Sequence, residues 1–176
     1  MLRRNMIPAL ALAVASLPLI AAPAEGQDLS RVEQQVRREL VTLPFYSVFD
    51  NMTFRVDGSK VTLMGKVTRP VLKSDAEKAV QRIEGIQEVD NQIEVLPVSS
   101  NDDQIRAAAY RAIYGHSTMT RYQVLAIPPI HIIVENGNIT LEGVVATEAE
   151  KNIAGIEARS VNGAFSVKNN LQVEKN

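Results

Sequence analysis

The sequence predicts an α+β protein built from two tandem α-β-β-α-β modules, each a three-stranded sheet covered on one face by two helices. Three observations carry that reading. The chain matches itself at an offset of 78 residues, its apolar periodicity changes from helical to alternating in the same order twice, and a tight-turn signal sits in each copy, Asp57-Gly58 in the first and Asn136-Gly137 in the second.

The self-match runs without a gap from Phe54–Val95 onto Ile132–Val173, and 11 of its 42 positions are identical. Val56/Val134, Thr62/Thr140, Leu63/Leu141, Gly65/Gly143, Val67/Val145, Lys73/Lys151, Ala76/Ala154, Gly85/Gly163, Val89/Val167, Asn91/Asn169 and Val95/Val173 are the pairs. Each copy opens with a helix. In the first, Ser30 and Glu33 read as a capping box, and Leu29, Val32, Val36, Leu40 and Leu43 recur at helical spacing; in the second, Ile105, Ala109, Ala112 and Ile113 take that part. A hairpin follows, with Phe54 and Val56 before its turn and Val61, Leu63 and Val67 after it. Leu72, Ala76, Ala79, Val80 and Ile83 then mark one face of a second helix, which Gly85 ends, as Gly163 ends its counterpart. The last strand runs from Val89 to Val95 and, in the second copy, from Val167 to Val173. Only Leu96–Ser100 joins the copies, so they are expected to touch.

The N-terminus has its own logic. Arg3 and Arg4 precede an apolar run from Ile7 to Ile20, and Ala22-Pro23-Ala24 follows it, which is the order of a secretory signal peptide cleaved after Ala24. The run is shorter than the roughly 20 residues a membrane-spanning helix needs. General secretion fits this leader better than twin-arginine export. The expected organisation is therefore a signal peptide at 1–24, one module at 25–98 and a second at 99–176. Without cysteine there is no disulfide framework, lipidated cysteine or thiolate metal site. Loss of Arg3 and Arg4 leaves 17 basic against 20 acidic residues, a balance that carries no footprint for nucleic acid and gives only weak general attraction to anionic lipid.

The pattern Val-Thr-Leu-x-Gly-x-Val, a helix, then Gly-x-x-x-Val-x-Asn-x-[Ile/Leu]-x-Val resembles the BON domain of bacterial envelope and osmotic-stress proteins. Val61–Val67 and Gly85–Val95 carry it in the first copy, Ile139–Val145 and Gly163–Val173 in the second. The resemblance implies a periplasmic or surface location, no catalytic activity or cofactor, and association with phospholipid or other envelope components. Some relatives look like stress-protective chaperones, which leaves a chaperone or protein-interaction module as the alternative. Double-module relatives of the outer membrane are lipoproteins, and this chain lacks the cysteine for that anchor.

The residues themselves offer little chemistry. His131 lies in an apolar strand with no acidic neighbour in sequence, and His116, in Tyr114-Gly115-His116-Ser117-Thr118, stands beside a serine in a spacing unlike a triad. Asn101, Asp102 and Asp103 at a helix start read as capping and dipole-favouring residues. No catalytic, cofactor or metal residue is assigned. Gly65 and Gly143 are expected to permit a bulge or the close approach of a helix, and Asn91 and Asn169 to shape the turn into the last strand.

The second copy has five extra residues between its first helix and its hairpin, around Arg121–Ile130. Two readings stand. In one, Tyr114 and Tyr122 lie at a polar–apolar boundary, Arg121 meets a phosphate or carboxylate, and Ile127 enters lipid or a partner. In the other these residues pack against the first module, with Phe45–Phe49 forming the opposite side of the contact.

Overall fold

The computed structural model describes residues 25–174; the expected signal peptide lies outside them. The first module consists of α1 (Glu25–Val41), β1 (Asn51–Asp57), β2 (Lys60–Val67), α2 (Pro70–Gln81), β3 (Glu88–Asn91) and β4 (Glu94–Val95). The second repeats it as α3 (Ser100–Gly115), β5 (Ile130–Glu135), β6 (Asn138–Val145), α5 (Glu148–Arg159), β7 (Ser166–Asn169) and β8 (Gln172–Val173), with a one-turn helix α4 (Thr120–Gln123) inserted after α3.

In both modules the second strand is central. β2 pairs antiparallel with β1 and parallel with β3 and β4; β6 pairs in the same way with β5, β7 and β8. The last strand, expected as one piece, is two short pieces in one register: Lys60 faces Glu88 and Lys66 faces Glu94. The ladder lapses opposite Gly65, where β2 kinks at a φ of 119°. A Cβ at Gly65 would lie 2.1 Å from the Asn51 carbonyl oxygen, and one at Gly143 would lie 1.9 Å from that of Pro129. The close approach is thus made by the neighbouring strand's backbone, not by a helix, and no residue with a Cβ fits it.

Asn91 spans the gap in the last strand. Its Oδ1 accepts the Ile93 N–H at 3.2 Å, and its Nδ2 donates 2.8 Å to the Lys73 carbonyl of α2. Asn169 does the same with Leu171 and the Lys151 carbonyl, so each asparagine ties its strand to its second helix as well as shaping the strand. Gly85 and Gly163, at φ 93° and 89°, reverse the chain a few residues beyond those helices.

Each core lies between the helices and one sheet face. Val36, Leu40, Val61, Leu63, Val67, Leu72, Ala76, Val80, Ile83 and Ile93 fill the first. Ile105, Ala109, Ile113, Ile132, Val134, Ile139, Leu141 and Ala154 are among those that fill the second.

Several local expectations change. α1 starts at Glu25, so Ser30 is inside the helix and the capping box does not mark its start. The first hairpin's loop is Gly58-Ser59, one residue beyond the expected turn, because Asp57 and Lys60 are already paired. The second has Asn136 and Gly137 both at positive φ, 51° and 77°. Ser99 caps α3 by accepting the Asp102 N–H, which frees the buried Asp102 carboxylate to accept the Asn136 and Gly137 N–H groups at 3.0 and 2.8 Å. Asp102 thereby clamps the hairpin turn. Tyr114 is not at a boundary: it is fully buried, its hydroxyl donating 2.6 Å to the Ile130 carbonyl and accepting the Ile130 N–H at 3.1 Å.

Candidate functional site

The modules meet along a seam built by the loop before β1 and the outer edge of β5. The Ile132 N–H donates 2.7 Å to the Val48 carbonyl, Tyr46 stacks near His131 with ring centroids 5.7 Å apart, and Phe49 meets Tyr110 edge-on at 6.2 Å. Lys66 reaches across to Glu135 while also pairing with Glu94 at 3.2 Å. The expected role of the Phe45–Phe49 stretch in the contact holds for Tyr46, Val48 and Phe49. The partner surface is the β5 edge, not the Arg121–Ile127 loop.

Behind the seam loop, Asp50 is fully buried and fully bonded. Its Oδ2 accepts the Ser47 N–H and hydroxyl, and its Oδ1 accepts the Thr68 N–H and hydroxyl, at 2.6 to 3.0 Å. The loop is therefore pinned to the end of β2. His131, whose sequence neighbours are apolar, faces Glu142 across the hairpin and lies within the field of Asp50. Burial nonetheless pulls its pKa below the ordinary value, more than these carboxylates raise it. Burial likewise pushes the Tyr46 hydroxyl up to about 12.

A cleft of about 400 Å³ opens beside this seam, lined by Arg37, Met52, Phe54, Val144 and Gln172 among others. A second, of about 330 Å³, lies by Lys66, Glu135 and Asn138. The His116 Nδ1 accepts the Thr118 N–H. Among the described residues no three His, Asp or Glu side chains gather as a metal site.

The three contact candidates of the second module separate. Arg121 donates to the buried Glu150 carboxylate and, at 2.9 Å, to the Tyr122 hydroxyl, which itself donates 3.0 Å to Glu150. Glu150 also accepts the Ala146 and Thr147 N–H groups, completing a capping box with Thr147 at the start of α5. The Thr147-x-x-Glu150 spacing is the sequence signal for that box. Arg121 and Tyr122 thus brace the insertion, and Ile127 is half-buried. The apolar tip of the insertion is Val124, 84% exposed, and Leu125, 48% exposed.

Two exposed aromatics had no signal in periodicity. Phe165 lies over the Gly137 turn. Phe45 is 62% exposed, held at a φ of 70°, and carries the Arg69 guanidinium 4.9 Å from its ring centre. Exposed Pro44, Pro70 and Val71 flank that pair in sequence. A positive φ at a bulky residue is strained, and surrounding structure must enforce it.

The sequence matches the BON domain family twice, over residues 28–97 and 101–175. No curated protein matches it. Among solved structures it is similar to the C-terminal domain of CdsD, the structural protein of the Type III secretion system of Chlamydia trachomatis, at 14% identity and a TM-score of 0.31, covering 81% of this chain and 96% of that one. A second CdsD structure gives 14% identity and a TM-score of 0.29, covering 84% of this chain and 92% of that one. Overlays that loose carry no argument about function. The two sequence matches, which together take in nearly all of the described residues, show that this chain belongs to the BON-domain family, a family of envelope-associated proteins.

Proposed function

We propose that this chain is exported, loses residues 1–24, and works in the periplasm as a non-enzymatic module that binds envelope phospholipid and supports membrane integrity under osmotic stress. The observation that supports it most directly is the Phe45–Arg69 pair. An exposed aromatic ring is held outward by a strained backbone, with a guanidinium on its face and exposed Pro44, Pro70 and Val71 next to the pair in sequence. The ring can enter the acyl boundary while Arg69 meets a headgroup phosphate, so local chemistry supplies what the acidic overall charge does not.

Co-sedimentation with anionic and neutral vesicles, at low and high salt, tests this. Anionic vesicles are expected to pellet the protein in a salt-sensitive way. Phe45→Glu is expected to weaken pelleting about tenfold or more, as loss of a buried aromatic implies, and Arg69→Glu to remove the anionic preference. Absence of pelleting under every condition removes phospholipid as the ligand and favours a chaperone, to be sought as suppressed aggregation of exported client proteins.

A further inference from the structure

The inter-module seam joins the loop before β1 to the outer edge of β5; their counterparts, the segment before β5 and the outer edge of β1 that borders the cleft beside the seam, make none of its hydrogen bonds among the described residues. In a hairpin whose two-residue loop is closed by the pair Glu135–Asn138, alternate residues of β5 turn their backbone groups away from β6, and these are Ile130, Ile132 and Val134. Each of the three has at least one outward group met. The Tyr114 hydroxyl serves both groups of Ile130, Arg106 donates 2.6 Å to the Val134 carbonyl, and the Ile132 N–H is taken by Val48 of the first module.

The 78-residue offset puts Met52, Phe54 and Val56 of β1 at those same positions, and β1 closes with the same two-residue loop. The Met52 N–H lies beside the Tyr46 hydroxyl. Among the described residues, however, nothing hydrogen-bonds to the outward N–H of Phe54, the counterpart of Ile132, or to the outward groups of Val56. Open space runs along this edge: about 360 Å³ beside Glu33 and Arg37, continuing into the cleft of about 400 Å³.

The same offset places Val124, Leu125, Ala126 and Ile127 at the positions of Tyr46, Ser47, Val48 and Phe49. Val48, which covers the β5 edge, is 7% exposed, whereas Val124, Leu125 and Ala126 are exposed. Among the described residues β1 thus presents an uncovered strand edge, and the segment before β5 is exposed at the positions of the one that covers the β5 edge at the seam.

We propose that copies of this chain associate head to tail, with Val124–Ile127 of one copy lying on the β1 edge of the next and its Ala126 carbonyl accepting the Phe54 N–H. The contact repeats the internal seam between molecules. Pro128 and Pro129 suit the covering segment, since it contributes a carbonyl and needs no donor. Such a contact is heterologous: the two surfaces differ, so growth continues into a chain of copies unless the rotation closes a ring.

Sedimentation of the exported chain across a wide concentration range, without vesicles, tests the proposal independently of lipid binding. Two variants block one surface each: Val124→Asp with Leu125→Asp on the covering segment, and Thr53→Asp on the exposed face of β1 at the position where His131 meets Tyr46 in the seam. Phe54→Pro, which deletes the N–H itself, is a second block of the edge, and thermal unfolding establishes that each variant is folded. The wild-type mass is expected to rise with concentration, each variant alone to stay monomeric, and an equimolar mixture of the two to restore a species of twice the monomer mass, because each supplies the surface the other lacks. A wild-type chain that remains monomeric throughout, variants that associate as well as wild type, or a mixture that stays monomeric would each overturn it.

Discussion

The two modules share a backbone but satisfy its demands with different side chains. At the start of the second helix, the Thr68 N–H in one module and the equivalent Ala146 N–H in the other both need an acceptor. Asp50 supplies it from the loop before β1, whereas Glu150 supplies it from α5 itself. The outer edges differ more: Tyr114, Arg106 and Val48 meet outward groups of β5, whereas among the described residues nothing meets the Phe54 N–H of β1. Duplication preserved the places where backbone groups must be met, because an unmet buried group costs about 1–3 kcal/mol, but left open which residue meets them.

The largest expected effect tests what the modules share. Gly65→Ala and Gly143→Ala should each destabilise by about 2–4 kcal/mol, since both put a Cβ inside contact distance of a backbone carbonyl at a positive φ. Denaturant unfolding of the two variants would read this, and a much milder Gly143→Ala would show that the second hairpin relaxes where the first cannot.

Tyr114→Phe tests what they do not share. It leaves both backbone groups of Ile130 without their partner in a buried place, a loss of about 1–3 kcal/mol. Hydrogen exchange at the Ile130 amide should accelerate strongly, while amides of β1 stay as they were. Unchanged exchange at Ile130 would mean that another group takes over the seal.

The smallest effect is expected at the seam. His131 has its pKa lowered by burial, so the unfolded chain binds its proton more readily than the folded one. Stability from this residue is complete above the ordinary value of about 6.5 and is lost as the pH falls below it. The slope of unfolding free energy against pH in that window should flatten in His131→Gln. An unchanged slope would assign the acid sensitivity to other groups.

Much of the fold was legible because it is written locally and twice. The turn at Asn136-Gly137, the apolar face of α2 and the paired glycines each follow from one residue's conformational freedom or from spacing along the chain. Where two local signals competed, the prediction slipped. Ser30 with Glu33 looks like a helix start, yet position 30 is helical, and Asp57-Gly58 looks like the turn, yet cross-strand pairing moves it to Gly58-Ser59.

The surroundings of the candidate contact residues were not legible for a different reason. Arg121 and Tyr122 in a polar loop look free, and only the fold brings Glu150, 29 and 28 residues away, to hold them. Phe45 looks like one more apolar residue until the backbone turns it outward. By itself the sequence determined two α-β-β-α-β modules, their family and their close linkage, since periodicity, turn chemistry and repetition act over a few residues at a time. Tertiary structure decided which strand edge is covered, which arginine is held by a carboxylate of its own chain and which apolar residues face solvent, because each of those depends on groups that meet only once distant segments have packed.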